Sequence, residues 1–295
     1  MFRLSVRGSR DFLLMLCIDA HHHLWRYSID EYGWIDDSMH VLRRDFLADD
    51  LRAEIATTHI GAAVAVQARQ TIEETRWLLD VANRNSFIAG VVGWAPLISR
   101  DFPEILDELR IDSKLKGLRH VLQDEPDEDY ALRAEFQNGM QALAGTGLVY
   151  DLLIHECHLP VAIQLVDRNP NQVFVLDHMA KPKIAQQQIS PWRENLRALA
   201  LRPNVTCKVS GLVTEANWRS WSLSDIEPYL EIALECFGPQ RLLAGSDWPV
   251  CTLAASYERW WKTLRQWVSK LSAQEQENIL GRNAALVYQL KELSA

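Results

Sequence analysis

The sequence has little of what cross-links a small or secreted fold. Among its 295 residues are five cysteines, Cys17, Cys157, Cys207, Cys236 and Cys251. They are odd in number and widely scattered, with no Cys-x-x-Cys pair, which argues against a disulfide framework and a cysteine-built zinc knot and points to the cytoplasm. No apolar run approaches the roughly 20 residues that cross a bilayer, so no spanning helix is expected. Basic residues are outnumbered, 31 against 39 acidic for a net charge of -8, and no basic block or stripe is present to neutralise phosphates, so nucleic acid is not an expected partner. Internal repeats, low-complexity segments and Pro/Gly/Ser-rich linkers are all missing, which leaves one large domain as the expectation. A glycine-rich dinucleotide turn is also missing after the first candidate strand, which argues against a doubly wound open sheet.

The N-terminus holds Arg3, Arg7 and Arg10 ahead of an apolar run from Phe12 to Ile18. A secretory leader is rejected: the run is short, Asp11 interrupts its start, no small-residue cleavage site follows, and removal would destroy the first strand. Residues 1–14 are read as a tail or an over-long start, and 15–295 as the domain.

What is present is a repeated alternation of short apolar or β-branched runs with longer amphipathic stretches. Candidate strands are Leu16–Ala20, Ala62–Gln67, Phe87–Trp94, Gly117–Val121, Leu148–Ile154, Gln172–Asp177, Val205–Val209 and Leu242–Ser246. Helical patterns lie between them, at Ile72–Asn83, Pro103–Leu109, Leu132–Gly145, Leu159–Arg168, Trp192–Leu201, Ile226–Phe237 and Tyr257–Ser269. About eight strand and helix pairs is the count of an α/β fold of the (β/α)8 barrel type, in which catalytic groups sit at the C-terminal ends of the strands. Reading those ends gives His21 and His23, Gln67, Trp94, Arg119 and His120, His155, His178, Lys208 and Asp247. Strand alternation places His21 and His23 on one side and His22 on the other. Two imidazoles on one face, with a distant carboxylate as third ligand, are able to share a divalent ion.

Five segments together resemble a known family: Ile18-Asp19-Ala20-His21-His22-His23-Leu24-Trp25, Lys116-Gly117-Leu118-Arg119-His120, Val175-Leu176-Asp177-His178-Met179-Ala180-Lys181-Pro182, Cys207-Lys208-Val209-Ser210-Gly211-Leu212 and Gly245-Ser246-Asp247-Trp248-Pro249. They look like the amidohydrolase-2 branch of the amidohydrolase superfamily, and within it the L-fuconolactonase and L-rhamnono-lactonase group of sugar-lactone hydrolases. The resemblance runs from about Cys17 to Gly281-Arg282-Asn283-Ala284. It implies a distorted TIM barrel that hydrolyses an ester-like bond in a small polar substrate, with water activated in the barrel mouth.

Carried over by position, His21 and His23 match the first-strand pair, His178 the histidine after the sixth strand and Asp247 the aspartate after the eighth. Asp247 is then the general base, and His178 either donates to the oxyanion or is a core histidine bonded to backbone. Arg119 and Lys208 either polarise the carbonyl or form salt bridges with neighbouring carboxylates. The resemblance implies one divalent ion, zinc, on His21, His23 and Asp247 with His155 or His178, although some relatives in this branch work without a required metal. With Arg119 where a carboxylatable lysine would stand, a binuclear centre is not expected. Trp25, Gln67, Trp94, His120 and Trp248 are the expected substrate contacts, the tryptophans through the C–H face of a sugar ring. The leading reading is hydrolysis of an aldonolactone such as L-fuconolactone to its sugar acid. A metal-dependent decarboxylase of the same branch and a non-catalytic metal-binding barrel are the alternatives.

Overall fold

A computed structural model describes residues 17–290; the expected tail at 1–14 lies outside them. The apolar runs form eight parallel strands in one sheet, each hydrogen-bonded to the next in sequence order: β1 (Cys17–His22), β2 (Ile60–Val66), β3 (Ile88–Gly93), β4 (Leu115–Val121), β5 (Val149–Leu153), β6 (Phe174–Leu176), β7 (Val205–Val209) and β8 (Leu242–Ala244). Sequential order throughout excludes the doubly wound alternative, in which the order reverses at a switch point. The fold is the expected (β/α)8 barrel, closed between β8 and β1 by the residues that follow β8. There Asp247 N–H donates to the His21 carbonyl at 2.8 Å and His23 N–H to the Trp248 carbonyl at 2.6 Å.

The helices are α1 (Ala48–Thr58), α2 (Ile72–Arg84), α3 (Phe102–Leu109), α4 (Ala134–Leu143), α5 (Leu159–Arg168), α6 (Trp192–Ala200), α7 (Leu212–Glu215), α8 (Leu223–Phe237), α9 (Tyr257–Val268), α10 (Ala273–Glu277) and α11 (Asn283–Val287). Of these, α1, α7, α10 and α11 lie outside the helical patterns of the sequence. Start signals are local. Thr71 and Ser256 cap α2 and α9 by accepting from the amides of Glu74 and Arg259, each worth about 1 kcal/mol. The stripe Tyr257, Trp260, Trp261, Leu264, Trp267 and Val268 is buried along α9, which accounts for three of the eleven tryptophans as helix-to-barrel packing.

Burial falls into two layers. Small and β-branched side chains alternate along the strands into the barrel: Ile18 and Ala20, Ala62, Val64 and Val66, then Ala89, Val92, Val149, Val175 and Leu243, joined by Ala284 and Tyr288 from the C-terminal segment. Bulky residues on the alternate positions, such as Leu118, Tyr150, Leu152, Phe174 and Leu176, pack against the helices. The interior is thus plugged from below by the chain end and left polar above.

Helix α4 approaches the loop after β3 so closely that Gly139 has no room for a side chain. A Cβ there would fall on the Leu97 carbonyl oxygen and 3.0 Å from its carbon. On an open helix Gly→Ala adds about 1 kcal/mol of stability. Here the rigid backbone opposite reverses the sign, and Gly139→Ala is expected to cost about 1–3 kcal/mol by overpacking, read from urea unfolding midpoints. A neutral or stabilised variant would show that the two segments separate freely.

Candidate active site

The site is built where the barrel seam meets a bulge in β1. Asp19 pairs with Ala63 and His22 with Ala65, so three steps along β1 face two along β2. With Ile18 and Ala20 already turned inward, strict alternation would send His22 into the barrel. The extra residue re-aims His21 inward instead, and the His21 and His23 rings meet with their Nε2 atoms 3.2 Å apart. His22 is buried with neither ring nitrogen paired among the described residues, and burial takes it down to about 3, a neutral ring.

Asp247 is held opposite. Its φ is +59°, an uncommon conformation for a non-glycine residue that surrounding contacts must maintain. Those contacts begin at Asp19, which accepts from Ser246 N–H (2.8 Å), the Ser246 hydroxyl (2.6 Å), His21 N–H (3.1 Å) and the Tyr257 hydroxyl (3.0 Å). Burial lifts Asp19 to about 6. Around Asp247 Oδ1 stand three imidazole nitrogens: His23 Nε2 at 3.4 Å, His21 Nε2 at 3.8 Å and His178 Nε2 at 3.8 Å. Burial pushes the Asp247 carboxyl up, but His178, His23 and Lys181 outweigh it and leave it below the usual carboxylate range.

Beneath His21 lies a buried chain of charges. Asp177 Oδ1 accepts from Lys208 Nζ (2.9 Å) and lies 3.2 Å from His21 Nδ1, while Oδ2 accepts from Arg119 Nη1 (2.9 Å). Lys208 also reaches Asp151 at 2.5 Å, and the Tyr288 hydroxyl donates to Asp151 at 2.9 Å from below. Arg119 Nη2 donates to the carbonyl and the Oε1 of Gln67. Burial alone would raise Asp177, yet Lys208, His21 and Arg119 together hold it well below the usual range; burial raises Asp151. His21, lowered strongly by burial and further by Lys208 and His178, is neutral. For Arg119 and Lys208 the geometry shows the salt-bridge arrangement, with Lys208 fully buried.

His178 opens a turn in which His178, Met179, Ala180 and Lys181 all have φ between +50° and +59°, a left-handed run that L-residues adopt at roughly 1–2 kcal/mol each. Its Nδ1 lies 2.9 Å from Ser210 Oγ, and burial lowers it to about 4, so it is a neutral ring. Gly211 (φ +68°) lies under it, where a Cβ would come within 2.5 Å of Nδ1; glycine is required for both reasons.

The remaining expected contacts divide. Gln67 is buried beside Arg119. The Trp94 Nε1–H donates to His120 Nδ1 (3.2 Å), and His120 Nε2 reaches Glu125 at 2.6 Å. Trp25 and Trp248, at 0% and 1% exposure, offer no free face to a sugar ring; both pack edge-on against Phe46 and fix the loop after β1 over the seam. His155 lies 3.2 Å by its amide from His158 Nδ1 and is in neither group of converging metal donors among the described residues. Sequence reasoning missed Asp19, Asp151, Asp177, Ser210 and Tyr288. A carboxylate inside an otherwise apolar strand, as in Ile18-Asp19-Ala20 and Tyr150-Asp151-Leu152, was the available signal.

The donor set suits a divalent ion. A carbonyl only accepts, so His23 Nδ1 donates to Val66 at 2.8 Å and its Nε2 keeps a lone pair. His21 Nδ1 lies 3.2 Å from both Asp177 and Lys208 Nζ, and its Nε2 faces that of His23 with Arg119 Nη1 at 3.4 Å. Two Nε2 atoms 3.2 Å apart with Asp247 beside them are a donor set that a divalent cation would meet. Ligands about 2.0–2.2 Å from a tetrahedral zinc are about 3.3–3.5 Å apart, close to the 3.2, 3.4 and 3.8 Å among His21, His23 and Asp247. The Val66 carbonyl and Asp177 at the two Nδ1 atoms are outer-shell acceptors of the kind that orient metal-binding histidines.

Comparison with known proteins agrees with this architecture. The chain is 43% identical to an L-fucono-1,5-lactonase of Burkholderia multivorans, over 94% of this chain and 97% of that one. It is 37% identical to an L-fucono-1,5-lactonase of Burkholderia ambifaria, over 92% and 95%. A crystal structure of an amidohydrolase from Burkholderia multivorans with bound zinc superposes with a TM-score of 0.90 at 43% identity, covering 93% of this chain and 99% of that one. A 5-carboxyvanillate decarboxylase of Sphingomonas paucimobilis, at 14% identity and TM-score 0.63 over 94% of this chain and 100% of that one, shares the fold alone. Residues 18–290, from the bulged strand to the chain end that plugs the barrel, match the amidohydrolase family, and the chain belongs to that family.

Proposed function

We propose that the protein is a lactonase that hydrolyses an aldonolactone, such as L-fuconolactone, to the sugar acid. The observation that carries this reading is Asp247: an ionised, buried carboxylate held in a strained conformation with three neutral or pairable imidazole nitrogens around one oxygen. The identity to L-fucono-1,5-lactonases selects the substrate class.

Asp247 takes a proton from water as the water oxygen attacks the lactone carbonyl. With Ser210 donating to His178 Nδ1, Nε2 carries the ring proton and donates to the developing oxyanion. When the tetrahedral intermediate collapses, the bond from carbonyl carbon to ring oxygen breaks and Asp247 returns the proton to that oxygen. The products are a hydroxyl and a carboxylic acid that ionises in water. Arg119 and Lys208 act as positioning residues through Asp177, which keeps His21 in one tautomer. Zinc is the proposed ion, on His21, His23 and Asp247. When bound it supplies Lewis acidity, lowering the pKa of a bound water towards about 7.

No described helix is long and apolar enough to cross a membrane. We place the enzyme in the cytoplasm, consistent with free thiols at all five cysteines. The proposed partner is a small-molecule sugar lactone, with nucleic acid and membrane left out by the acidic, unstriped charge.

Three measurements test this reading. A pH-indicator assay of acid release from aldonolactones is expected to show turnover that Asp247→Asn lowers by about 10²–10⁴-fold in kcat; no turnover by folded wild type on any aldonolactone would overturn it. Asp247 lies below the usual range and His178 at about 4, so neither changes charge between pH 6 and 8. After correction for spontaneous ring opening, kcat/KM of chelator-treated, metal-free protein is expected to be level across that window, whereas an inflection at about pH 7 confined to the zinc-loaded protein would report the metal-bound water. By atomic emission, wild type is expected to carry one zinc per chain and His23→Ala almost none; equal metal in both would remove His23 from the ligand set.

A further inference from the structure

Arg119 and Lys208 are bound to carboxylates, whereas Lys181 is a half-buried cation on the same face that makes no ion pair with a described residue. Neither Lys181 nor Glu215 makes a side-chain hydrogen bond or ion pair with any described residue, although both are half-buried. Half-burying a charge without a partner is unfavourable unless something else meets it. Both sit on C-terminal loops of the barrel, Lys181 at the end of the left-handed turn after β6 and Glu215 at the end of α7 after β7. The two loops are tied together along their length: His178 to Ser210 at 2.9 Å, His178 against Gly211, and Ala185 N–H to the Glu215 carbonyl at 2.9 Å. Lys181 and Glu215 are therefore held on adjoining walls. Lys181 ends the left-handed turn that His178 opens, and Glu215 ends the short helix that follows Gly211, so both belong to the two loops that carry His178 and Ser210.

A ring carrying several hydroxyls needs both an acceptor and a donor fixed beside the general base. We propose that Glu215 and Lys181 form the subsite for the ring hydroxyls of the substrate, Glu215 accepting from them and Lys181 donating to their oxygens, so that this pair determines specificity for polyhydroxylated lactones. The proposal rests on the lactonase reading. A site that hydrogen-bonds substrate hydroxyls discriminates strongly against analogues without them, because its own polar groups are then left unpaired.

The test compares L-fucono-1,5-lactone with δ-valerolactone, which has a six-membered lactone ring and no hydroxyls, on wild type, Glu215→Ala, Glu215→Gln and Lys181→Met. Glu215→Ala is expected to raise KM for the hydroxylated lactone about tenfold with kcat within about twofold, the signature of binding lost equally from ground and transition states. Glu215→Gln, which keeps an acceptor, should recover part of that loss. Lys181→Met is expected to raise the same KM, and the preference for the hydroxylated lactone should fall about tenfold in Glu215→Ala. A fall in kcat at constant KM, equal losses on both substrates, or no change in either would overturn the proposal, and thermal melts within a few degrees of wild type exclude misfolding. Wild type inactive on every aldonolactone is a different failure, that of the lactonase reading itself, and takes this subsite with it.

Discussion

Asp177 is the group on which the interior of the barrel is organised. A carboxylate with no exposed surface is tolerable only if opposite charge and hydrogen bonds replace its lost hydration. Here Lys208, Arg119 and His21 supply them from β7, β4 and β1. Because those strands are far apart in sequence, the ion cluster forms only when the barrel closes, and removing one member would strand the others at a cost of about 3–5 kcal/mol. The chain of pairs extends downward through Asp151 to Tyr288, so the C-terminal plug and the catalytic face share one electrostatic framework. Two carboxylates and two cations balance, which lets His21 stay neutral above them.

That balance decides what the mouth is able to do. A neutral His21, with Asp177 and Lys208 at Nδ1, turns its Nε2 towards His23 and Asp247. The strain sits in the same place: Asp247 and the four residues from His178 to Lys181 are all left-handed. Asp19, through Ser246 and the His21 amide, and Gly211, under the His178 ring, are what keep those conformations occupied. Ordinary hydrogen bonding at the seam thus maintains unusual backbone at the site.

Much of this was legible in the sequence because it is periodic or terminal. The strands were placed to within a few residues, and His21, His23, His178 and Asp247 stand out because polar residues follow apolar runs. What was not legible depends on geometry without a period. The bulge in β1 has no sequence signature, yet it decides that His21 rather than His22 enters the barrel. Trp25 and Trp248 lie beside strand ends but are covered by Phe46 from a loop whose path no pattern encodes. Asp151 and Asp177 read as strand residues until Lys208 and Arg119 are brought to them across the barrel. The short helices α7, α10 and α11 span 4 or 5 residues, too few for a helical period to show.

The charges at the strand ends then separate by depth. Arg119 and Lys208 have the cationic character expected of an oxyanion site, but burial and paired carboxylates commit them to the scaffold. A cation that meets a substrate must keep a free N–H and some access to solvent; Lys208 has no exposed surface and Arg119, whose Nε is unpaired among the described residues, is 3% exposed. Lys181, half-buried at the end of the left-handed turn, makes no ion pair with a described carboxylate and meets both conditions. A neutral lactone that becomes an anionic acid needs a graded environment: fixed charge below to set protonation states, and unsaturated polar groups above to bind hydroxyls and release the product. The left-handed run that begins at His178 ends three residues further at Lys181, so one stretch of unusual backbone carries a residue of each layer.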